Sequence, residues 1–222
     1  MFESGLARAG AMIAQHPFYD AIDRVGGGGK VDKTWVRICA NDKWPLFGGR
    51  IDWTGKTVLD IGCQTGYSAF QACAYGAKSV IGWDIRPSVL AVADAMRAEY
   101  PDAVVEFDNR NWTKNIDAAP RRDVVLCMGL LHYFPSDDYA RAVNGVFAAS
   151  GEWVVLELMQ SVEDGPWPTV AKKKGRVLAT ESWLANRADK MGFAVESRWA
   201  WNDTDENVRA LWIFRRVKIQ QG

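Results

Sequence analysis

Residues 58–68 read VLDIGCQTGYS, an apolar run followed by a short segment with glycines at positions 62 and 66. The apolar run predicts a buried strand, and the glycines let the backbone turn sharply before a helix and approach a ligand closely. Ligands of such sheets bind beyond the carboxyl ends of the strands. Asp60 lies at that end, where its carboxylate can accept a hydrogen bond from a cationic amino group. The stretch therefore predicts a strand–loop–helix unit that holds a ligand.

The chain around this unit alternates between short apolar runs and helix-like stretches. Strands are predicted over 57–61, 79–83, 104–107, 123–128 and 153–158, and helices over 66–75, 87–100 and 136–149. Ser136, which Asp137 and Asp138 follow, is expected to cap the last of these helices. Near-continuous apolar strands between amphipathic helices indicate a parallel sheet covered on both faces. The sequence therefore predicts an α/β fold with a doubly wound, Rossmann-like sheet.

The two ends of the chain differ from this central pattern. A helix is predicted over 181–191, followed by strands over 193–199 and 208–215 that can pair as an antiparallel hairpin at the edge of the sheet. The first 50 residues precede the first strand and look mostly helical. We therefore expect two parts, a helical N-terminal cap or lid over 1–50 and the α/β domain over 51–222.

The composition limits the possible partners. The 222 residues include 27 basic and 27 acidic side chains, whereas a protein that binds many phosphates usually has a clear basic excess. The four cysteines form no CxxC pair and there are two histidines, so no metal site is expected. No stretch approaches the roughly 20 apolar residues that span a bilayer, and the N-terminus has no apolar segment of signal-peptide type. We expect a cytoplasmic protein without membrane contacts.

Two observations concern the chemistry of the ligand. A nicotinamide dinucleotide fingerprint requires G-x-G-x-x-G, and Gln64 stands where the second glycine would be. A pyrophosphate would then approach a residue with a side chain, which weakens the dinucleotide interpretation. Asp84 ends the second strand, 22 positions after Gly62, and an acidic residue at about that distance can accept from both hydroxyls of a ribose. Alternatively, Asp84 caps the helix that begins at Pro87.

The end of the third strand supplies further candidates. Asp108 can accept a hydrogen bond from an adenine amino group, and Asn109 can bind an edge of the ring. Trp112 can stack on the base. The alternative is a polar loop that follows a strand and binds nothing.

The fourth strand leads into residues 127–135, CMGLLHYFP, which should lie beside the first strand and form the floor of a reaction site. His132 is a candidate general base because the ordinary pKa of histidine lies near neutrality. Packing within the apolar segment is the alternative for this histidine. Glu157, near the end of the fifth strand, is a candidate base or polar anchor.

Together, these motifs resemble those of a known family. VLDIGCQTGYSAF, VIGWDIRPSVL, FDN and VVLCMGLLHYF have the order and spacing of the motifs of class I S-adenosylmethionine-dependent methyltransferases, over roughly residues 56–160. The resemblance implies a seven-stranded sheet whose last two strands form the antiparallel hairpin. It implies S-adenosylmethionine as the cofactor, with its methionine part at the first loop, its ribose at Asp84 and its adenine at Asp108 and Asn109. The residues expected to bind it are Asp60, Gly62, Cys63, Gln64, Gly66, Asp84, Ile85, Asp108, Asn109, Met128 and Gly129.

A narrower resemblance concerns the branch that contains the tRNA wobble-uridine carboxymethyltransferases. It rests on CMGLLHYFP, on ELM at 157–159, on ESWLANRADKMGF and on ENVRALWIFRR. Enzymes of that branch use a carboxylated form of the cofactor, and they carry a Tyr-His pair where this chain has His132-Tyr133. The resemblance implies kinship of fold and makes tRNA an alternative partner.

These inferences predict an enzyme that transfers a methyl group to an oxygen or nitrogen of a small-molecule acceptor. The expected catalytic residues are His132 and Tyr133, which would remove or steer the acceptor's proton. Aromatic residues of the N-terminal part are expected to close over the site, namely Phe18, Tyr19, Trp35 and Trp44. Three alternatives stay open: a tRNA-modifying (carboxy)methyltransferase, a cofactor-binding regulator without catalysis, and a nicotinamide oxidoreductase.

Overall fold

The computed structural model describes Cys39 and residues 43–170, 176–204 and 207–217. Its strands are β1 Thr57–Ile61, β2 Ser79–Asp84, β3 Val105–Asn109, β4 Arg122–Met128, β5 Ser150–Ser161, β6 Thr169–Val170, β7 Val177–Leu178, β8 Phe193–Thr204 and β9 Asn207–Arg216. Seven of them form the main sheet, in the order β3-β2-β1-β4-β5-β9-β8, and β6 pairs with β7 in a separate small sheet.

The order of the strands creates a crevice at one edge of the sheet. β1 to β5 run parallel to one another, and β9 runs antiparallel to both β5 and β8. The order reverses at β1, with β2 and β3 on one side and β4 and β5 on the other. Ligands of doubly wound sheets bind at such a reversal, beyond the carboxyl ends of the strands. The predicted α/β fold, its seven-stranded Rossmann-like sheet and its antiparallel hairpin are confirmed.

Helices cover both faces of the sheet. They are α1 Trp44–Phe47, α2 Tyr67–Ala74, α3 Pro87–Ala95, α4 Trp112–Asn115, α5 Ser136–Ala149 and α6 Glu181–Lys190. Along β4, Val125 and Cys127 belong to one apolar cluster, whereas Val124 and Leu126 belong to another. Because alternate residues of a strand point to opposite faces, the two clusters lie on the two sides of the sheet. Side chains of α4, α5 and α6 join the first cluster, and those of α1, α2 and α3 join the second.

The structure corrects several predicted boundaries. β5 extends to Ser161 because β9 pairs along it as far as Asn207. The helix predicted over 87–100 changes to a 3₁₀ helix at Met96. The prediction that Ser136 caps α5 is wrong, since Pro135 occupies the cap position and Ser136 is the first helical residue. Asp137 and Asp138 lie in the first turn, where a negative charge favours the helix dipole.

Only a small part of the predicted N-terminal cap lies in the described ranges. Residues 43–50 include α1 and a 3₁₀ helix, Gly48–Arg50, and the ring of Trp44 stacks on that of Trp53 with centroids 5.4 Å apart. Phe18, Tyr19 and Trp35 lie outside the described residues. Within these ranges, none of the helices combines the length and the apolar character that a bilayer span requires.

Candidate functional site

A cavity of about 530 Å³ opens at the carboxyl ends of β1, β2 and β4. The predicted cofactor residues that line it are Gly62, Gln64, Asp84, Ile85, Met128 and Gly129. Asp60 and Cys63 line a smaller adjoining cavity, which shares Gly62 and Met128 with the first. Among the predicted residues, Gly66, Asp108 and Asn109 line neither cavity in the described structure. Most of the predicted residues thus meet where the strand order reverses.

The backbone of the loop after β1 shapes one wall of the cavity. Gly62 and Gly66 have φ angles of 76° and 79°, a conformation that residues with a Cβ disfavour. A Cβ on Gly66 would lie 2.6 Å from the ring of Phe107, so this glycine permits close packing of the loop against β3. Gln64 also has a positive φ, 51°, and this turns its N–H toward Oδ2 of Asp84 at 3.1 Å. The loop is therefore tied to the end of β2.

Asp84 is buried and accepts four hydrogen bonds. Its Oδ1 accepts from the backbone N–H of Arg86 at 2.9 Å and from Nε of the same residue at 3.1 Å. Its Oδ2 accepts from the N–H of Gln64 at 3.1 Å and from Nη2 of Arg86 at 3.2 Å. The guanidinium of Arg86 therefore binds both oxygens of the carboxylate that the sequence assigned to a ribose.

Asp60 is the second buried carboxylate of the site. Its side chain is 2% exposed, and its Oδ2 has no hydrogen-bond partner among the described residues. Burial, together with the neighbouring charge of Asp84, raises the pKa of Asp60 to about 7. A cation beside this oxygen would stabilise the charged form. Asp60 is thus suited to receive an ammonium group.

The polar residues at the end of β3 lie beside the cavity rather than in its wall. Nδ2 of Asn109 donates to the backbone carbonyl of Asp84 at 3.1 Å, and Asp108 pairs with Arg110 at 3.3 Å. The cavity is lined by the residues that follow, Arg110 to Thr113. These include Trp112, whose ring centroid lies 6.1 Å from that of Trp83. Trp112 therefore lines the cavity, whereas Asp108 and Asn109 do not, and the stacking of a base on Trp112 stays a prediction.

The segment after β4 forms the opposite wall. Tyr133 lines the cavity and is 62% exposed, whereas His132 is buried and does not line it. Their ring centroids are 4.3 Å apart. The guanidinium of Arg176 lies 4.7 Å from the centre of the Tyr133 ring, and its Nη2 donates to the phenol oxygen at 3.4 Å. Arg176 precedes β7, so the small sheet is joined to the mouth of the cavity.

Glu157 on β5 belongs to a buried ion-pair network. Its oxygens accept from Nζ of Lys43 and from Nη1 of Arg209, each at 2.7 Å. Burial alone would raise the pKa of Glu157, but the charges of Lys43 and Arg209 outweigh it and hold that pKa below its ordinary value. A carboxylate held ionised by two cations is a poor base. Glu157 is therefore the polar anchor of the two possibilities, and it fixes Arg209, which lines the cavity.

Residues 58–150 match the family model described as "Methyltransferase domain". This part of the chain is therefore similar to a methyltransferase domain. The match spans β1 to α5, and it therefore includes the glycine loop, Asp84 and the wall after β4.

Proteins of similar sequence include tRNA U34 carboxymethyltransferases. The chain is 32% identical over 130 residues to the tRNA U34 carboxymethyltransferase of Methylococcus capsulatus, over 55% of this chain and 39% of that enzyme. It is 26% identical over 174 residues to the tRNA U34 carboxymethyltransferase of Helicobacter pylori, over 74% of this chain and 65% of that enzyme. The chain thus covers about two fifths of the first of these relatives.

Solved structures of low sequence identity share the fold. Magnesium protoporphyrin IX methyltransferase from Synechocystis, with bound S-adenosylmethionine, matches with a TM-score of 0.62 at 17% identity, over 90% of this chain and 91% of that one. The [4+2]-cyclase SpnF matches with a TM-score of 0.65 at 14% identity, over 89% and 92%. The predicted resemblance to S-adenosylmethionine-dependent methyltransferases is confirmed in the match of residues 58–150 and in the fold.

Some residues in and around the cavity were not expected from the sequence. Arg86 lies two positions after Asp84, a spacing that allows the contact but does not predict it. Lys43 and Arg209 lie 114 and 52 positions from Glu157, so no local pattern reveals their network. Trp44, expected in the wall of the acceptor pocket, instead packs in the core against Trp53. In the described ranges, no group of His, Cys, Asp or Glu is placed to hold a metal ion.

Proposed function

We propose that this chain transfers the methyl group of S-adenosylmethionine to an oxygen or nitrogen of a small-molecule acceptor. The observation that carries the proposal is the pair of buried carboxylates, Asp60 and Asp84, on either side of the glycine loop. The cofactor offers the complementary groups, a cationic amino group and a ribose diol. The packing of the sheet does not explain Asp60, whose Oδ2 has no hydrogen-bond partner among the described residues.

The residues around the carboxylates fit the rest of the cofactor. A Cβ on Gly62 would approach Leu130 to 3.3 Å, so a side chain there would fill the space between the two walls. Trp83 and Trp112, which are 2% and 4% exposed, line the cavity, and the adenine ring is proposed to lie against the edges of these side chains that reach it. When bound, S-adenosylmethionine supplies an activated methyl group on a positively charged sulfur.

The chain's own residues then bind and orient the acceptor. Leu130, Phe134 and Pro135 form an apolar wall that excludes water. Tyr133 lies in the same wall and is proposed to contact the acceptor. His132, buried behind it, is proposed to steer the acceptor's proton through Tyr133, which makes it a positioning residue. Holding two reactants in a fixed orientation can lower the activation free energy by about 7–11 kcal/mol. The residues of this wall can therefore promote the transfer mainly by orienting the acceptor.

A tRNA acceptor is the second candidate, and the similar tRNA U34 carboxymethyltransferases favour it. Arg86, Arg110 and Arg209 line the cavity, although the whole chain has no net charge. A local cluster of arginines can bind a phosphate, and it can equally bind an anionic small molecule. The balanced overall charge supports the small molecule.

A transfer assay on cell extract tests the proposal. The purified protein is incubated with methyl-labelled S-adenosylmethionine and extract, and the products are separated into small molecules, RNA and protein. We expect the label in the small-molecule fraction and no label with the Gly62→Val variant. Label in the RNA fraction would contradict a small-molecule acceptor and support tRNA, the second candidate. Binding of cofactor without transfer to any fraction would contradict an enzyme and support a regulator.

A further inference from the structure

The Asp84 carboxylate has no acceptor position left for a ribose. Each carboxylate oxygen offers about two positions for hydrogen bonds. Oδ1 receives the N–H and Nε of Arg86, and Oδ2 receives the N–H of Gln64 and Nη2 of Arg86. A ribose diol needs one position on each oxygen. Two of the four donors must therefore leave when a ribose binds.

The four donors differ in how easily they can leave. The N–H groups of Gln64 and Arg86 belong to the backbone of the loop and of the strand end, and moving them would deform both. The guanidinium of Arg86 belongs to a long side chain that is 49% exposed. Rotation about its side-chain bonds releases one position on each oxygen. The two removable donors are thus on the two oxygens that a diol would bridge.

We propose that Arg86 is a displaceable lock on the ribose site, which the two hydroxyls of the cofactor open by taking its place on Asp84. The inference rests on the proposed function, since it requires a ribose at Asp84. While the lock is closed, the guanidinium neutralises a buried carboxylate that lies near Asp60. A ligand without a diol cannot replace both hydrogen bonds, so it leaves the lock closed.

The lock predicts an unusual response to salt. A half-exposed ion pair weakens as ionic strength rises, whereas hydroxyl hydrogen bonds respond little. Binding of S-adenosylhomocysteine to the native protein should therefore tighten from low salt to about 0.5 M salt. Removal of the guanidinium should tighten binding at low salt by about twofold to fivefold, the range that an exposed ion pair contributes. It should also abolish the response to salt.

Calorimetric titration with S-adenosylhomocysteine tests the lock in the native protein and in Arg86→Met. Arg86→Lys retains a charge without the two-pronged contact and should give an intermediate affinity. Arg141→Met removes an exposed partner of Asp117, away from the cavity, and should behave as the native protein does. A 2′,3′-dideoxy analogue of the ligand should bind the native protein and Arg86→Met with equal affinity. Thermal unfolding establishes that each variant is folded.

The titrations distinguish a failure of the lock from a failure of the proposed function. One result would overturn the lock: folded Arg86→Met binds S-adenosylhomocysteine no more tightly than the native protein does, and the two proteins respond to salt alike. Arg86 would then contact the cofactor directly or play no part in its binding. Folded Arg86→Lys then provides the same comparison should the methionine variant fail to fold. If neither the native protein nor any variant binds S-adenosylhomocysteine, both the proposed function and the lock are contradicted.

Discussion

Among single residues, Asp84 carries the clearest prediction. Asp84→Ala removes the charged acceptor that both ribose hydroxyls are proposed to use. Hydrogen bonds to charged groups contribute roughly 1.5–3 kcal/mol, so the affinity for S-adenosylhomocysteine should fall at least about tenfold in calorimetry. Asp94→Ala, on the exposed side of α3, is the matched control and should bind normally. Unchanged affinity in a folded Asp84 variant would remove this residue from the site.

Asp60 predicts a pH dependence of cofactor binding. Its pKa is raised to about 7, mainly by burial, so below that pH the carboxyl is neutral and attracts an ammonium group less. Binding of the cofactor should therefore weaken as the pH falls below about 7 and level off above it. The raised pKa also means that ionisation costs stability, so the free energy of unfolding should fall as the pH rises from about 4 to 7.

Asp60→Asn tests both consequences at once. An amide at this position does not titrate, so calorimetry and urea unfolding at several pH values should lose both trends. Cofactor affinity at pH 8 should be lower than in the native protein, because the ammonium group loses a charge partner. A variant that retains the native pH profile of binding would assign the titration to another group.

The sequence predicts these two residues because each ends a strand, and strand ends converge at the reversal of strand order. On the side predicted for the adenine, β3 continues to Asn109, so the cavity wall begins at Arg110 and Asp108 and Asn109 lie beside it. The contact of Arg86 with Asp84 depends on a side-chain rotation, which residue order does not determine. The roles of Asp108, Asn109 and His132 in binding or catalysis stay predictions.

Among the elements, β5 and β9 are joined at the site by the network of Glu157. Glu157→Gln would leave Lys43 and Arg209 facing a neutral amide in a buried place. Breaking a buried ion pair in this way typically costs 3–5 kcal/mol, so urea unfolding should report a loss of about that size. The control is Glu152→Gln, whose carboxylate is half-exposed and pairs with Lys56, and which should cost about 1 kcal/mol or less.

A loss in Glu157→Gln no larger than in the control would show that the network does not stabilise the described structure. The pH gives a second check. Because the pKa of Glu157 is lowered, its contribution to stability is present above the pKa of an unfolded glutamate and is lost as the pH falls through the lower folded value. The variant should lack this part of the acid sensitivity.

Local patterns predict some elements well and others poorly. β1 and α5 have the predicted bounds, since an apolar run and an amphipathic stretch each set their own limits. The length of β5 depends on its pairing with β9, whose partner residues lie 46 to 62 positions away along the chain, so no local pattern within β5 sets its end. The pair β6 and β7 was not expected, because strands of two residues leave no periodic pattern.

For the whole molecule, the fold and the chemistry are separate questions. The same sheet occurs in a methyltransferase and in a [4+2]-cyclase, so the fold alone does not assign the reaction. His132→Ala tests whether proton transfer matters, with the acceptor that the labelled extract identifies. If His132 steers the proton, turnover should fall by about 10²–10⁴-fold while cofactor affinity changes little.

The pH profile of turnover separates proton transfer from packing. If His132 handles the proton, the rate should depend on pH through the protonation of its imidazole, and the alanine variant should lose that dependence. An unchanged profile, with lower stability but normal turnover per folded molecule, would make the residue a packing element. The wall after β4 would then act by positioning alone.

The central claim is that S-adenosylmethionine binds at the loop after β1, and calorimetry with S-adenosylhomocysteine tests it most directly. Gly62→Val should abolish binding, because its side chain would fill the space beside Leu130. Gly55→Val is the matched control, since Gly55 also has a positive φ, 71°, but a Cβ there meets open space before β1. We expect the native protein and Gly55→Val to bind one equivalent of ligand and folded Gly62→Val to bind none. Equal binding by both variants, or no binding by the native protein, would contradict the account.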